Sequence, residues 1–109
     1  MTDSSVLHLD DKTFDETLAT TEGVLMVDFW AEWSGPWRAV SPVLEDLART
    51  SGGKVTLAKV NVDDHPALAS RFGVRSIPTI LFVKDGKIRD QAIGALPKAA
   101  LQKKIETLA

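Results

Sequence analysis

Apolar and polar positions along this chain switch between the two-residue period of strands and the period of about 3.6 that marks helices. Val6 to Leu9 alternates and predicts a short strand. Thr13-Phe14-Asp15-Glu16 has the Thr-x-x-Glu form of a capping box and predicts a helix with Phe14 and Leu18 on one face, ended by Gly23. Val24 to Trp30 (VLMVDFW) is almost continuously apolar and rich in β-branched and aromatic residues. That is the pattern of a central strand buried on both faces.

Beyond a short loop, Val40, Val43, Leu44, Leu47 and Ala48 repeat at helical spacing, with Ser51-Gly52-Gly53 as the stop. Pro42 lies inside this helix and predicts a kink there, because its ring removes one backbone donor. Val55 to Val62 alternates into another strand. Asp64-His65-Pro66 reads as a helix start, with Leu68 and Phe72 turned inward and Gly73 as the C-terminal stop. Thr79 to Val83 and Lys87 to Ile93 flank Asp85-Gly86, a strong hairpin signal. Pro97 opens a last helix with Leu101, Ile105 and Leu108 on one face. The order is β-α-β-α-β-α-β-β-α. Strands joined by helix-length segments predict parallel pairs with crossovers, and the hairpin adds an antiparallel edge, so the class is α/β. No repeat, low-complexity segment or linker interrupts the pattern.

Composition narrows the chemistry. The chain has 109 residues, 44% hydrophobic and 26% charged, with a net charge of −2. That is one domain of ordinary soluble composition, with no basic footprint for nucleic acid or an anionic membrane. There are no cysteines. Disulfides, thiolate metal sites and thiol redox chemistry are therefore excluded, and no metal or cofactor is expected. The N-terminal residues MTDSSVLHLDD lack a basic region followed by an apolar run, so no signal peptide is expected and the expected location is the cytoplasm.

The loop after the central strand reads Trp33-Ser34-Gly35-Pro36-Trp37-Arg38. Together with Val27-Asp28-Phe29-Trp30-Ala31-Glu32, Pro42, Lys59, Ile77-Pro78-Thr79 and Gly94-Ala95, it resembles the thioredoxin family along almost the whole chain, most closely its small bacterial members. The resemblance implies a thioredoxin fold, a central mixed five-stranded sheet flanked by four helices, as a single domain over residues 1–109. The family's active loop is Trp-Cys-Gly-Pro-Cys followed by a basic residue. Ser34 and Trp37 stand here at the two cysteine positions.

A thiol at a helix N-terminus has a depressed pKa and attacks a substrate disulfide, and a second thiol resolves the mixed disulfide. A serine hydroxyl lacks the acidity and softness for that exchange, and tryptophan carries no nucleophile. The parent activity that the resemblance implies is protein-disulfide reduction in cell redox homeostasis, with thioredoxin reductase serving a dithiol parent. This chain is expected to lack it. Serine hydrolysis would need an oriented base beside Ser34, and the only histidines, His8 and His65, fall elsewhere. Ser34 reads instead as the cap of the following helix.

By resemblance Asp28 is the family's buried aspartate, which assists proton transfer at the second thiol, with Lys59 as its nearby cationic partner. Without thiols the pair is a remnant that costs stability. Burial should raise the Asp28 pKa, so Asn or Ala at this position is expected to stabilise the protein at neutral pH. The resemblance also implies a cis bond before Pro78 and a backbone edge there for an extended peptide. Trp33, Gly35, Pro36, Ser76, Ile77, Pro78, Gly94 and Ala95 would form a shallow apolar groove that needs no thiol. Trp37 either enlarges this groove, plugs it or fills space at the helix start, and the sequence leaves these open.

Two readings of function follow. One is a cysteine-replaced, redox-inactive thioredoxin, favoured by the retained Asp28 and Lys59. The other is a redox-silent binding module or partner subunit that uses the groove. The partners expected are proteins docking as extended peptides on a monomeric chain, not nucleic acid or membrane.

Overall fold

A computed structural model describes residues 6–109. The elements are β1 (Leu7–His8), α1 (Phe14–Thr20), β2 (Val24–Trp30), α2 (Gly35–Arg49), β3 (Val55–Asn61), α3 (Pro66–Arg71), β4 (Thr79–Lys84), β5 (Lys87–Ile93) and α4 (Lys98–Leu108). The sheet order is β1-β3-β2-β4-β5. β1, β3 and β2 run parallel, and β4 and β5 are antiparallel additions. This is the mixed five-stranded sheet with four helices that the sequence predicts.

β2 lies mid-sheet, and the pleat sends its alternate residues to opposite faces. Val24 and Met26 join Val40, Leu44 and Leu47 of α2 and Leu101 and Ile105 of α4 in one core. Leu25, Val27 and Phe29 join Phe14 and Leu18 of α1 and Leu68 of α3 in the other, where the rings of Phe14, Phe29 and Phe72 cluster. Two apolar faces explain why β2 reads as an unbroken hydrophobic run. The same parity puts Asp28 and Trp30 on the α2 face. Asp28 is the register partner of Lys59 on β3. A carboxylate and an ammonium are thus carried into an otherwise apolar layer.

The N-terminal expectations are corrected in two places. The first strand is two residues long rather than four, although the Leu9 N–H still donates to the Lys59 carbonyl. The Thr13–Glu16 capping box does not form. Thr13 has helical dihedrals and makes no side-chain cap bond. Its hydroxyl is taken by Asp10, whose Oδ1 also accepts from the Lys12 and Thr13 N–H groups. An Asx-type turn has won the residue that the cap needed. The other elements keep their expected places. α2 runs unbroken through Pro42. Asp85 and Gly86 both take positive φ, 54° and 77°, as a type I′ hairpin turn requires.

Gly23 sets the entry to β2. Its φ is +73°, and a methyl group there would stand 2.5 Å from the Lys54 carbonyl oxygen. Gly52 has a similar φ of +67° but open space around it. Gly23→Ala should therefore cost both the left-handed strain and a backbone clash, about 2 kcal/mol or more, and Gly52→Ala only the strain, about 1 kcal/mol. Urea unfolding of the two variants checks this, with the larger drop in midpoint expected for Gly23→Ala.

Candidate functional site

The site forms where β2 ends and α2 begins. Ser34, only 3% exposed, is the α2 N-cap, with extended dihedrals and its Oγ accepting from the Trp37 backbone N–H at 3.1 Å. Its hydroxyl donates in turn to the Ile77 carbonyl at 3.2 Å. One side chain therefore caps the helix and ties it to the segment before Pro78. The Ile77–Pro78 peptide bond is cis, and the Pro78 carbonyl accepts from the Gly94 N–H at 2.8 Å. Ser34, Ile77, Pro78 and Gly94 are thus joined by hydrogen bonds. Gly35 and Pro36 sit exposed in the first helical turn, and Ser76 and Ala95 are exposed beside their neighbours. Among the described residues the backbone N–H groups of Ser76 and Ile77 meet no acceptor.

Trp37 turns inward and is half-buried. Its ring stacks on Trp30 with centroids 4.5 Å apart, and its Nε1–H donates to Asp28 Oδ2 at 2.9 Å. Of the three placements open from sequence, its contacts are those of a side chain that fills space at the helix start, behind the loop. Trp33 does the opposite. It is 67% exposed, held at its edge by an Nε1–H bond to Asp63 Oδ2 at 3.1 Å.

Asp28 is fully buried, and Oδ1 has no hydrogen-bond partner among the described residues. Desolvation pushes its pKa up to about 6. The Trp37 hydrogen bond and the positive charge of Lys59 oppose that rise, and the negative charge of Glu45 adds to it. Lys59 is the register neighbour that the resemblance implies, but the direct ion pair is absent. Its Nζ donates to Ser41 Oγ at 3.1 Å and lies 3.8 Å from Glu45 Oε2. The α2 side chains one and two turns beyond Trp37 have drawn the ammonium away, leaving the carboxylate to the indole.

Among the described residues no proton-transfer unit serves Ser34. His65 faces Asp11 at 3.6 Å, and His8 lies on the edge strand β1. The Ser34 hydroxyl is spent on Ile77, so the arrangement supports capping, not nucleophilic attack.

Comparison with known proteins decides the family. A family model described as Thioredoxin matches residues 5–107. A thioredoxin of Rhodospirillum rubrum is 47% identical over 99 residues, 91% of this chain and 95% of that protein. One of Chlorobaculum thiosulfatiphilum is 47% identical over 96 residues, 88% and 89% of the two chains. The chain belongs to the thioredoxin family. A chloroplastic M-type thioredoxin of Pisum sativum is 44% identical over 103 residues, and this chain spans 60% of that protein's length.

The parent function of the thioredoxin family is disulfide reduction, and this member carries no cysteine with which to perform it. Among its described residues no helix is long and apolar enough to cross a membrane. Trp30, Ser41, Glu45 and Asp63 complete the site; the sequence marks Trp30 only as part of the β2 run and gives the other three no motif. Strand parity from Asp28 and helical spacing from Trp37, read together, point to the first three. Asp63 carries no such signal.

The buried carboxylate gives a pH signature. Its folded pKa, about 6, lies above the ordinary value of 3.8, so between these limits the folded chain holds a proton that the unfolded chain has released. Stability therefore falls as pH rises through that window, by about 3 kcal/mol in all, and stays reduced above it. Asp10, Asp15, Asp46 and Asp90 have lowered pKa values, so their contribution is lost only as pH falls below the ordinary carboxylate range. Asn at position 28 keeps an acceptor for the indole without the charge, whereas Ala strands the Trp37 N–H. Asp28→Asn should stabilise the protein by about 1–2 kcal/mol at pH 8 and Asp28→Ala by less. Urea unfolding from pH 4 to 8 checks both points, with the gap between Asp28→Asn and the parent opening as pH rises.

Proposed function

We propose that this chain is a redox-silent thioredoxin-family protein that works by docking extended segments of partner proteins on the face built by Trp33, Gly35, Pro36, Ser76, Ile77, Gly94 and Ala95, beneath which Pro78, expected in the groove, lies buried with Ser34. The observation that carries this reading is the pair of unmatched backbone N–H groups at Ser76 and Ile77, beside the exposed indole of Trp33. A backbone edge with free donors next to an apolar anchor suits strand addition by an extended chain. None of these groups is a thiol. The protein acts as a monomer, with the cytoplasm as its compartment, and uses no metal or cofactor.

Asp28 favours a second reading, in which the chain descends from a protein-disulfide reductase that lost its cysteines at Ser34 and Trp37 and now does no chemistry. A buried carboxylate with one oxygen unmatched is poorly explained by docking alone. In a dithiol parent, Asp28 and Lys59 would serve proton transfer at the second thiol, and thioredoxin reductase would return the electrons.

Both readings predict no insulin reduction by the chain itself. The paired variant Ser34→Cys/Trp37→Cys separates them. Turnover with dithiothreitol at a substantial fraction of a dithiol thioredoxin's rate is expected under the second reading. A correctly folded but inactive paired variant is expected under the first.

A further inference from the structure

Trp33 stands between two hollows of opposite character. On one side is a cavity of about 520 Å³ whose walls include Val62, Ala69, Val74 and Ile77, with Arg75 as the only charged residue lining it. On the other is a hollow of about 570 Å³ lined by Glu32, Asp63 and Asp64, with Arg38 as its cation. Arg38 is engaged with the Glu32 carbonyl at 2.7 Å, and one Asp63 oxygen holds the Trp33 indole. The acidic side thus keeps a surplus of negative charge. Arg75 makes no ion pair or side-chain hydrogen bond among the described residues.

We propose that these two hollows sort docked segments by charge, the apolar one taking a large aliphatic side chain beside an Asp or Glu that faces Arg75, and the acidic one taking a Lys or Arg. The inference rests on the docking reading above and adds the chemistry of the partner. Complementary charge chooses between otherwise similar segments, and like charge at either hollow rejects them. The free N–H groups of Ser76 and Ile77 adjoin Arg75 in sequence, so the backbone edge and the cation belong to one stretch. A six-residue extended segment covers about 20 Å, enough to cross one indole from hollow to hollow. Leucine enters the more apolar hollow against Val74 and Ile77, and its charged neighbour fixes which end lies where.

Two labelled peptides of equal composition test this, Glu-Leu-Ser-Thr-Ser-Lys and Lys-Leu-Ser-Thr-Ser-Glu, titrated with the intact protein by fluorescence anisotropy. At low salt the first should bind about five-fold tighter, and the gap should close in about 0.5 M salt, because rim charges are weak and screened. Arg75 and Asp64 are both exposed, so Arg75→Glu and Asp64→Lys should fold normally. Each should narrow the preference, and together they should reverse it. Equal binding of both peptides, unmoved by either variant, would overturn the sorting while leaving docking intact. Failure of both peptides to bind at about 1 mM would overturn docking and sorting together.

Discussion

A single hydrogen bond, from the Trp37 indole to the Asp28 carboxylate, decides how the site is built. Asp28 enters an apolar layer because strand parity carries it there, and a buried carboxylate needs a partner. Lys59 lies beside it in the sheet, yet its ammonium is drawn to Ser41 and Glu45 on α2. The indole is left to serve one carboxylate oxygen, and stacking on Trp30 holds it there. With Trp37 turned inward, the loop face carries the exposed Trp33 instead, with Ser34 buried beneath it. The interior of the site is then closed off from anything docked outside it.

The fold was readable from pattern because its signals are local and mutually consistent. The β2 run, the helical repeats of α2 and α4 and the Asp85-Gly86 turn each point to one element, and the topology follows from their order. The errors lie where two local motifs compete for one group. Thr13 offered its hydroxyl to a capping box, and Asp10 reached it first. The site was legible in some of its members but not in its pairings. Asp28, Lys59 and Trp37 stand out by type and place. Which of them bond to each other depends on the direction in which α2 crosses the sheet, and no single stretch of sequence records that.

Redox silence and the docking proposed above rest on separate features of this family member. The first follows from composition, since no sulfur nucleophile is present. The second draws on backbone donors at Ser76 and Ile77, an exposed indole and the flanking hollows. Ser34 touches both, because its hydroxyl caps α2 and also holds the Ile77 carbonyl beside the proposed docking edge.

Asp28 is a buried, destabilised carboxylate restrained by Trp37. The most direct test of this is the pH titration of the Asp28 side-chain carbon by NMR, in the parent and in Trp37→Phe. A midpoint of about 6 is expected in the parent. A higher midpoint is expected in Trp37→Phe, because the lost hydrogen bond favoured the charged form. A parent midpoint at or below 4, or one that Trp37→Phe leaves unmoved, would contradict this picture of Asp28.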